Sequence, residues 1–294
     1  MKDKPNDLPR SLPLVTPPST DEILSSWLTR IAQDYYIPTR RLLTHMGISS
    51  PSPERLDLTL TISQAITMGG FVRQPPEVIM AMTHAKLPAD CQRLVRLKLP
   101  QQTCRTCASR LKRDGAAGAV LKGWMQGWRI TCRSCGSLLQ DDWKDDVRQG
   151  QTPFAQFEAE ARMGEALVDH YAAGTKSFPI SPATMLRLLL LRKFTSPAEL
   201  WNEPRLPRRL IGNYISGFDS IADDHGLNTA IGKTPVLPIT IRVGLLAGLT
   251  AAMKNPLEQL PQLRAARVSR LQFDAVLAQD PIINPAPLPK RHHT

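Results

Sequence analysis

The sequence predicts a mainly α protein: a helix-turn-helix-like N-terminal domain, a zinc ribbon, and a second helical domain that could hold another helix-turn-helix. Three observations lead there. Apolar residues recur at helical spacing through both halves of the chain, as in Ile23, Leu24, Trp27, Leu28, Ile31 and Ala32. Ser-Pro pairs at Ser181-Pro182 and Ser196-Pro197 signal helix starts. Two Cys-x-x-Cys pairs, Cys104 with Cys107 and Cys132 with Cys135, interrupt the helical pattern once.

Residues 1–18 are Pro-rich without periodicity and read as an extended N-terminal arm. A domain over 19–100 follows. Ser19-Thr20-Asp21-Glu22 has the spacing of a capping box, and its acids suit the positive end of a helix. Ile37-Pro38 breaks this helix, and Pro38 can open the next in its first turn. The second helix buries Leu42, Leu43 and Met46 and stops at Gly47. More helix is expected from Leu60 to Thr67 and from Pro76 to His84, which suits a helix-turn-helix-like bundle. Arg40 and Arg41 lie early in the second helix, where a recognition helix would reach DNA.

The cysteine module is placed at 101–145. Each pair can put two thiolates on one tight turn, within reach of one ion at the Zn–S distance of ~2.3 Å. Two such turns would complete a closed tetrahedral Zn2+ site, structural rather than catalytic. The stretch from Ala108 to Thr131 is somewhat longer than the ~15–20 residues usual between such pairs, leaving room for a long hairpin or a short helix. Two disulfides or four unrelated thiols are the other readings, and a reducing compartment favours the metal. Cys91 reads as a small buried apolar residue.

An acidic, glutamine-bearing linker from Asp141 to Thr152 leads to a C-terminal helical domain over 146–280. Its expected helices run from Phe154 to Tyr171, Pro182 to Phe194, Ala198 to Glu203, Arg208 to Ile221 and Pro238 to Met253, with short ones to Ala278. The tail over 281–294 carries four prolines and is expected to be disordered. The apolar stretch from Val236 to Met253 is interrupted by Pro238 and Arg242 and reads as a core helix rather than a membrane span. Met1 to Arg10 is charged and polar, so no signal peptide is expected, and the expected location is cytoplasmic and nucleoid-associated.

The formal net charge is +11, which points to a polyanionic partner, by default target DNA. The cations cluster from Lys86 to Arg113, around Arg187 to Arg209, and at Arg264, Arg267 and Arg270. Arg110, Lys112, Arg113, Arg208 and Arg209 join Arg40 and Arg41 as candidate DNA contacts. Aromatic residues make up 5% of the chain, which disfavours single-strand binding by base stacking. No catalytic constellation emerges. His45, His84, His170 and His225 lack neighbouring nucleophiles, and Asp141-Asp142 with Asp145-Asp146 read as a solvated linker. Gly232-Lys233-Thr234 lacks the preceding glycine of a P-loop. A non-enzymatic protein is expected.

Leu12-Pro13-Leu14, then Pro17, Pro18, Asp21-Glu22 and Ser25-Ser26-Trp27-Leu28, resembles the opening of the TniQ family, the target-selection subunits of bacterial transposons. Met80-Ala81-Met82-Thr83 ahead of the first Cys-x-x-Cys is similar to the family's order. So is Trp128 ahead of the second pair, with Gly136, Leu138 and Leu139 after it. The resemblance covers Leu12 to Asp142. Two positions depart from the pattern: Arg105 stands where a proline is usual, and Cys135 where a histidine is common. Thiolate can replace imidazole in a structural zinc site.

The resemblance implies a non-catalytic adaptor that marks a target, by binding DNA or by riding on an RNA-guided CRISPR effector complex. It would recruit an AAA+ ATPase regulator, which brings the transposase. Leu12, Pro13, Leu14, Glu22 and Trp27 would face the ATPase. The alternative from the residues alone is a stand-alone transcription regulator with a zinc ribbon and a helix-turn-helix.

Overall fold

The computed structural model describes residues 11–97, 102–141, 153–193, 209–224, 237–266 and 268–284. These residues are mainly helical, with one two-stranded sheet among them. The chain forms two compact units. One is built from Met1–Leu87, Arg96–Gln126 and Cys132–Asp142, the other from Pro88–Val95, Gly127–Thr131 and Trp143–Thr294. Residues on both sides of position 100 fall in the first unit. Glu22 bridges Leu121, the Ile23 amide donates to the Val120 carbonyl at 2.9 Å, and the Val120 amide donates to Ser26 Oγ at 2.9 Å. These bonds tie the early helices to Val120 and Leu121 within the first unit, which also holds the four cysteines of the two pairs.

In the first unit, α1 (Leu24–Asp34) buries Leu24, Trp27, Leu28, Ile31 and Ala32, the face its periodicity predicts. Its start differs from the expected capping box. Ser19 and Glu22 close a tight turn ahead of the helix: the Glu22 amide donates to the Ser19 carbonyl at 3.0 Å, the Ser19 amide to Glu22 Oε2 at 2.9 Å, and Asp21 takes φ 62°. Glu22 is buried and ion-paired with Arg30 at 2.6 Å. Ile23 stands at the N-cap with no side chain able to cap. Asp57 does so from a distant helix, accepting the Ser25 amide at 3.0 Å and the Ser25 hydroxyl at 2.6 Å. That satisfies an otherwise orphaned helix N–H and puts a carboxyl at the positive end of α1.

α2 (Thr39–His45) has Pro38 at its N-cap, one position before the expected first turn, and ends as expected at Gly47, whose φ of 71° needs no Cβ. α3 (Pro53–Thr59), which carries Asp57, is not foreseen by the sequence reading. α4 (Ile62–Val72) begins after Leu60 and runs past Thr67, its start marked by a complete capping box of Thr61 and Gln64. α5 (Pro76–Ala81) stops short of His84. The short α6 (Ala89–Gln92) belongs to the second unit, and α7 (Arg105–Arg113) to the first. The core of the first unit joins Trp27, Leu28, Ile31, Leu42, Met46, Leu56, Met68, Val72 and Ile79 with Leu12.

Leu12 shows that the described part of the arm is a strap on its own helices. Its side chain is 6% exposed, and its amide donates to the Phe71 carbonyl at 2.8 Å. Trp27 Nε1 donates to the Thr16 carbonyl at 2.7 Å, and Tyr35 Oη donates to the Leu14 carbonyl at 2.7 Å.

In the second unit, a 3-10 turn (Ala155–Phe157) leads into α8 (Glu158–Ala172). α9 (Pro182–Leu189) starts as expected, with Ser181 Oγ accepting the Ala183 and Thr184 amides. The helix expected from Arg208 to Ile221 is instead a 3-10 turn (Leu210–Asn213) and α10 (Phe218–Asp224), separated by Gly217 at φ 73°. α11 (Ile239–Ala252) is buried on nearly every side, the core helix read from its composition. α12 (Pro256–Ala265) and α13 (Arg270–Leu277) follow. α8 meets α11 so closely that a Cβ on Gly164 would lie 2.2 Å from the Leu246 carbonyl oxygen. Buried Arg129 pairs with Glu165 at 2.7 Å, and fully buried Arg242 donates to the Arg129 carbonyl at 2.5 Å.

Among the described residues no helix is long and apolar enough to cross a membrane. The linker beyond Asp141, the helix from Ala198 to Glu203, Pro197, Arg208, His225, Gly232 to Thr234, the arm before Ser11 and the tail beyond Asn284 lie outside the described residues.

Burial pushes the Asp57 carboxyl up to about 7, against the opposing pull of its bonds to Ser25. Folded protein then holds a proton that the unfolded chain, titrating near 3.8, has released. The stabilisation is fully present below that unfolded value and is lost as pH rises towards 7. Denaturant titrations from pH 4 to 8 should show stability falling across this window, and Asp57→Asn should flatten the profile.

Packing of the strap makes a second prediction. Leu12→Ala should cost about 2–3 kcal/mol, read by denaturant unfolding. Deleting residues 1–18 should lower the melting temperature, where the unpacked arm expected from sequence would have left it unchanged.

Candidate metal centre

The site is assembled from two local structures. Strand β1 (Gln102–Thr103) pairs antiparallel with β2 (Gln140–Asp141), Gln102 opposite Asp141, and so brings the two ends of the module together. Directly after β1, Cys104 is the N-cap of α7, and Cys107 lies in its first turn. The first pair is thus the start of a helix rather than a free turn. The second pair is a true turn. The Gly136 amide donates to the Cys132 carbonyl at 2.8 Å, the Cys132 amide to the Ser137 carbonyl at 2.8 Å, and Gly136 takes φ 73°. A Cβ at that position would be strained, so glycine follows the fourth cysteine for a backbone reason.

The four Sγ atoms lie within 4.8 Å of one another. Cys104 and Cys135 sulfurs are 3.3 Å apart and those of Cys107 and Cys132 are 3.6 Å apart. A disulfide needs ~2.05 Å, and all four cysteines are free. A tetrahedron of thiolates at ~2.3 Å from a central ion has edges of about 3.8 Å, so the geometry fits one ion. Cys104, Cys107 and Cys132 are buried and Cys135 is exposed. Four soft donors arranged tetrahedrally suit zinc or iron and leave no position for substrate.

The surroundings favour negative charge at this point. Both cysteines of the first pair lie at the positive end of α7. Arg110 Nη2 donates to Cys107 Sγ at 3.6 Å, compensating part of the charge four thiolates would carry. Without an ion the thiols diverge. Burial pushes Cys104 and Cys107 up, whereas hydrogen bonds from Ser137 bring Cys135 down to about 6.

The structure separates the other sequence-predicted residues into three groups. Arg40, Arg41, Arg110, Lys112 and Arg113 are exposed. Pro13 and Leu14 are also exposed, but Leu12, Glu22 and Trp27 are buried in their own unit, so those three side chains are not on offer to a partner. Arg209 is 1% exposed and held by Asp219 at 2.6 Å, which makes it a structural ion pair rather than a DNA contact. At ~3.6 residues per turn, Arg105, Ser109, Lys112 and Arg113 share the side of α7 away from buried Cys107 and Leu111. Arg105 belongs to that face; the sequence places it in the Lys86–Arg113 basic cluster but does not single it out as a DNA contact. The Cys107–Leu111 spacing of one apolar stripe could have revealed it. Among the described residues, no other group of three or more Cys, His, Asp or Glu side chains converges in this way.

No protein-family model, curated protein or solved structure matches the chain.

Metal binding and folding of the module are coupled through its thiolates. Native protein should carry one metal ion per chain by elemental analysis. Cys132→Ser should drop the content well below one and lower the melting temperature. Acidification should release the ion, because protons compete for every ligand.

Proposed function

We propose that this chain is a non-catalytic DNA-targeting adaptor of the TniQ kind, in which a structural zinc ion fixes a basic helix for contact with duplex DNA. The observation that carries the reading is α7. One side of the helix supplies two cysteines to the metal centre, and the opposite side presents Arg105, Lys112 and Arg113 to solvent. None of these three cations has an acidic partner among the described residues, so none is neutralised there. Cations free to meet phosphates release counterions from DNA, which supplies sequence-independent affinity. The net charge of +11 has the same sign.

Recruitment of an AAA+ ATPase rests on the resemblance of the N-terminal segment. Pro13 and Leu14, the latter 59% exposed, are among the exposed side chains that segment offers to a partner. A closed four-thiolate site gives the metal a scaffolding role, consistent with an adaptor that marks a site while other subunits perform the chemistry.

The test is duplex binding as a function of salt, together with capture of an AAA+ ATPase encoded by a neighbouring gene. Charge reversal at Lys112 and Arg113 should weaken binding on every sequence and reduce the log–log salt slope by about 0.9 for each phosphate no longer neutralised. These positions spare Arg110, which touches Cys107. Pro13→Ala with Leu14→Asp should abolish ATPase capture with zinc content unchanged. A flat salt dependence would leave an adaptor that touches protein only, and an absent ATPase partner would favour the stand-alone regulator.

A further inference from the structure

Three non-glycine residues of the first unit adopt left-handed backbone: Asp21, Tyr36 and Arg73, at φ 62°, 54° and 55°. Side chains are rare there because Cβ crowds the backbone, and each such residue costs stability. Two of the three have a visible reason. Asp21 faces Lys122 at 3.6 Å, and Arg73 Nη2 donates to Ser11 Oγ at 2.9 Å. Tyr36 has none. Its side chain is 96% exposed, and it makes no hydrogen bond, ring contact or cation–π contact among the described residues.

The local backbone sharpens the contrast. Tyr36 terminates α1 in a Schellman motif: the Tyr36 amide donates to the Gln33 carbonyl at 3.0 Å and the Ile37 amide to the Ala32 carbonyl at 3.0 Å. The left-handed position of that motif is the one glycine occupies most readily. A large aromatic here therefore strains the turn and gains nothing from its own unit. Beyond the turn, Pro38 leads into α2, whose first residues include the exposed Arg40 and Arg41. Neither arginine has an acidic partner among the described residues. The α1–α2 corner thus carries an unsupported phenol and, within a few residues beyond it, two uncompensated guanidiniums.

We propose that Tyr36, Arg40 and Arg41 form a contact for the sugar–phosphate backbone of duplex DNA, separate from the basic face of α7. The phenol hydroxyl donates to a phosphate oxygen while the ring covers the adjoining deoxyribose, and the two guanidiniums pair with neighbouring phosphates. Charge complementarity points to this occupant: two guanidiniums one residue apart call for closely spaced anions, which the repeated phosphates of a duplex supply, and a phosphate oxygen also accepts from a phenol. This assignment rests on the DNA-binding reading above and adds a second point of attachment to it.

The experiment sets stability against affinity. Tyr36→Gly relieves the strained backbone, so the melting temperature should hold or rise by a few degrees, roughly the response of a domain this size to removal of such strain. A side chain kept for packing would give the opposite sign. Affinity for a duplex, followed by fluorescence anisotropy on full-length protein, should fall roughly tenfold, the effect of removing one hydrogen bond to a charged group. Tyr36→Phe should reproduce most of that fall. The log–log salt slope should stay unchanged in both, since tyrosine carries no charge, and should shrink by about 0.9 in Arg40→Ala.

A higher melting temperature with unaltered duplex affinity would overturn the assignment while the α7 reading stands. A lower melting temperature would return Tyr36 to a structural role and overturn it too. Wild-type protein that binds no duplex at low salt would overturn both readings together.

Discussion

Convergence of four cysteine sulfurs is the constraint on which the first unit depends. The chain between Gln102 and Asp141 has little regular structure of its own: two strands of two residues, a nine-residue helix and a short 3-10 turn, Lys122–Met125. A hairpin ladder that short is marginal in water, and α7 is below the length at which an isolated helix persists. An ion held by Cys104, Cys107, Cys132 and Cys135 would pin the N-terminus of α7 to the far end of the module. That closure in turn sets where Val120, Leu121 and Lys122 meet the start of α1.

Buried polar groups give the two units their definition. In the first, Asp57 caps α1 across the fold and Glu22 locks Arg30. In the second, Arg129 sits against Glu165, and Asp280 accepts the Ser181 amide at 3.0 Å where α9 begins. Such pairs are costly to desolvate and add little net stability. Burial keeps the Glu165 carboxyl above its ordinary range even with Arg129 beside it. Breaking such a pair would strand a buried charge, at a cost of about 3–5 kcal/mol.

The surface divides the cations by what they do. Arg96, Arg209 and Arg242 are drawn into the interior, Arg264 pairs with Asp274, and Arg110 donates to Cys107 Sγ. Net charge by itself therefore overstates the number of phosphates the protein can meet. Among the described residues of the first unit, exposed cations without an acidic partner include Arg105, Lys112 and Arg113 on α7, Arg40 and Arg41 at the start of α2, and Arg55, Lys86 and Arg133 elsewhere.

The sequence by itself determined the helical class, the apolar face of α1, the start of α9 at Ser181-Pro182, the buried α11 and the four cysteines that could hold a metal ion. Each depends on local spacing: a 3.6-residue period, a cap beside its helix, or two cysteines separated by two residues. Tertiary structure decided what spacing cannot express. The Ser19–Glu22 pattern is an upstream turn because Asp57, remote in sequence, supplies the cap to α1 instead. Leu12 is core rather than free arm because Phe71 offers its carbonyl to it, and Arg209 is structural because Asp219 is near. The conformation of Tyr36 was equally hidden, since no composition signal marks an aromatic placed where glycine belongs. Local patterns specify which elements can form; only the folded chain chooses their partners, because hydrogen bonds and ion pairs between distant segments are created by burial itself.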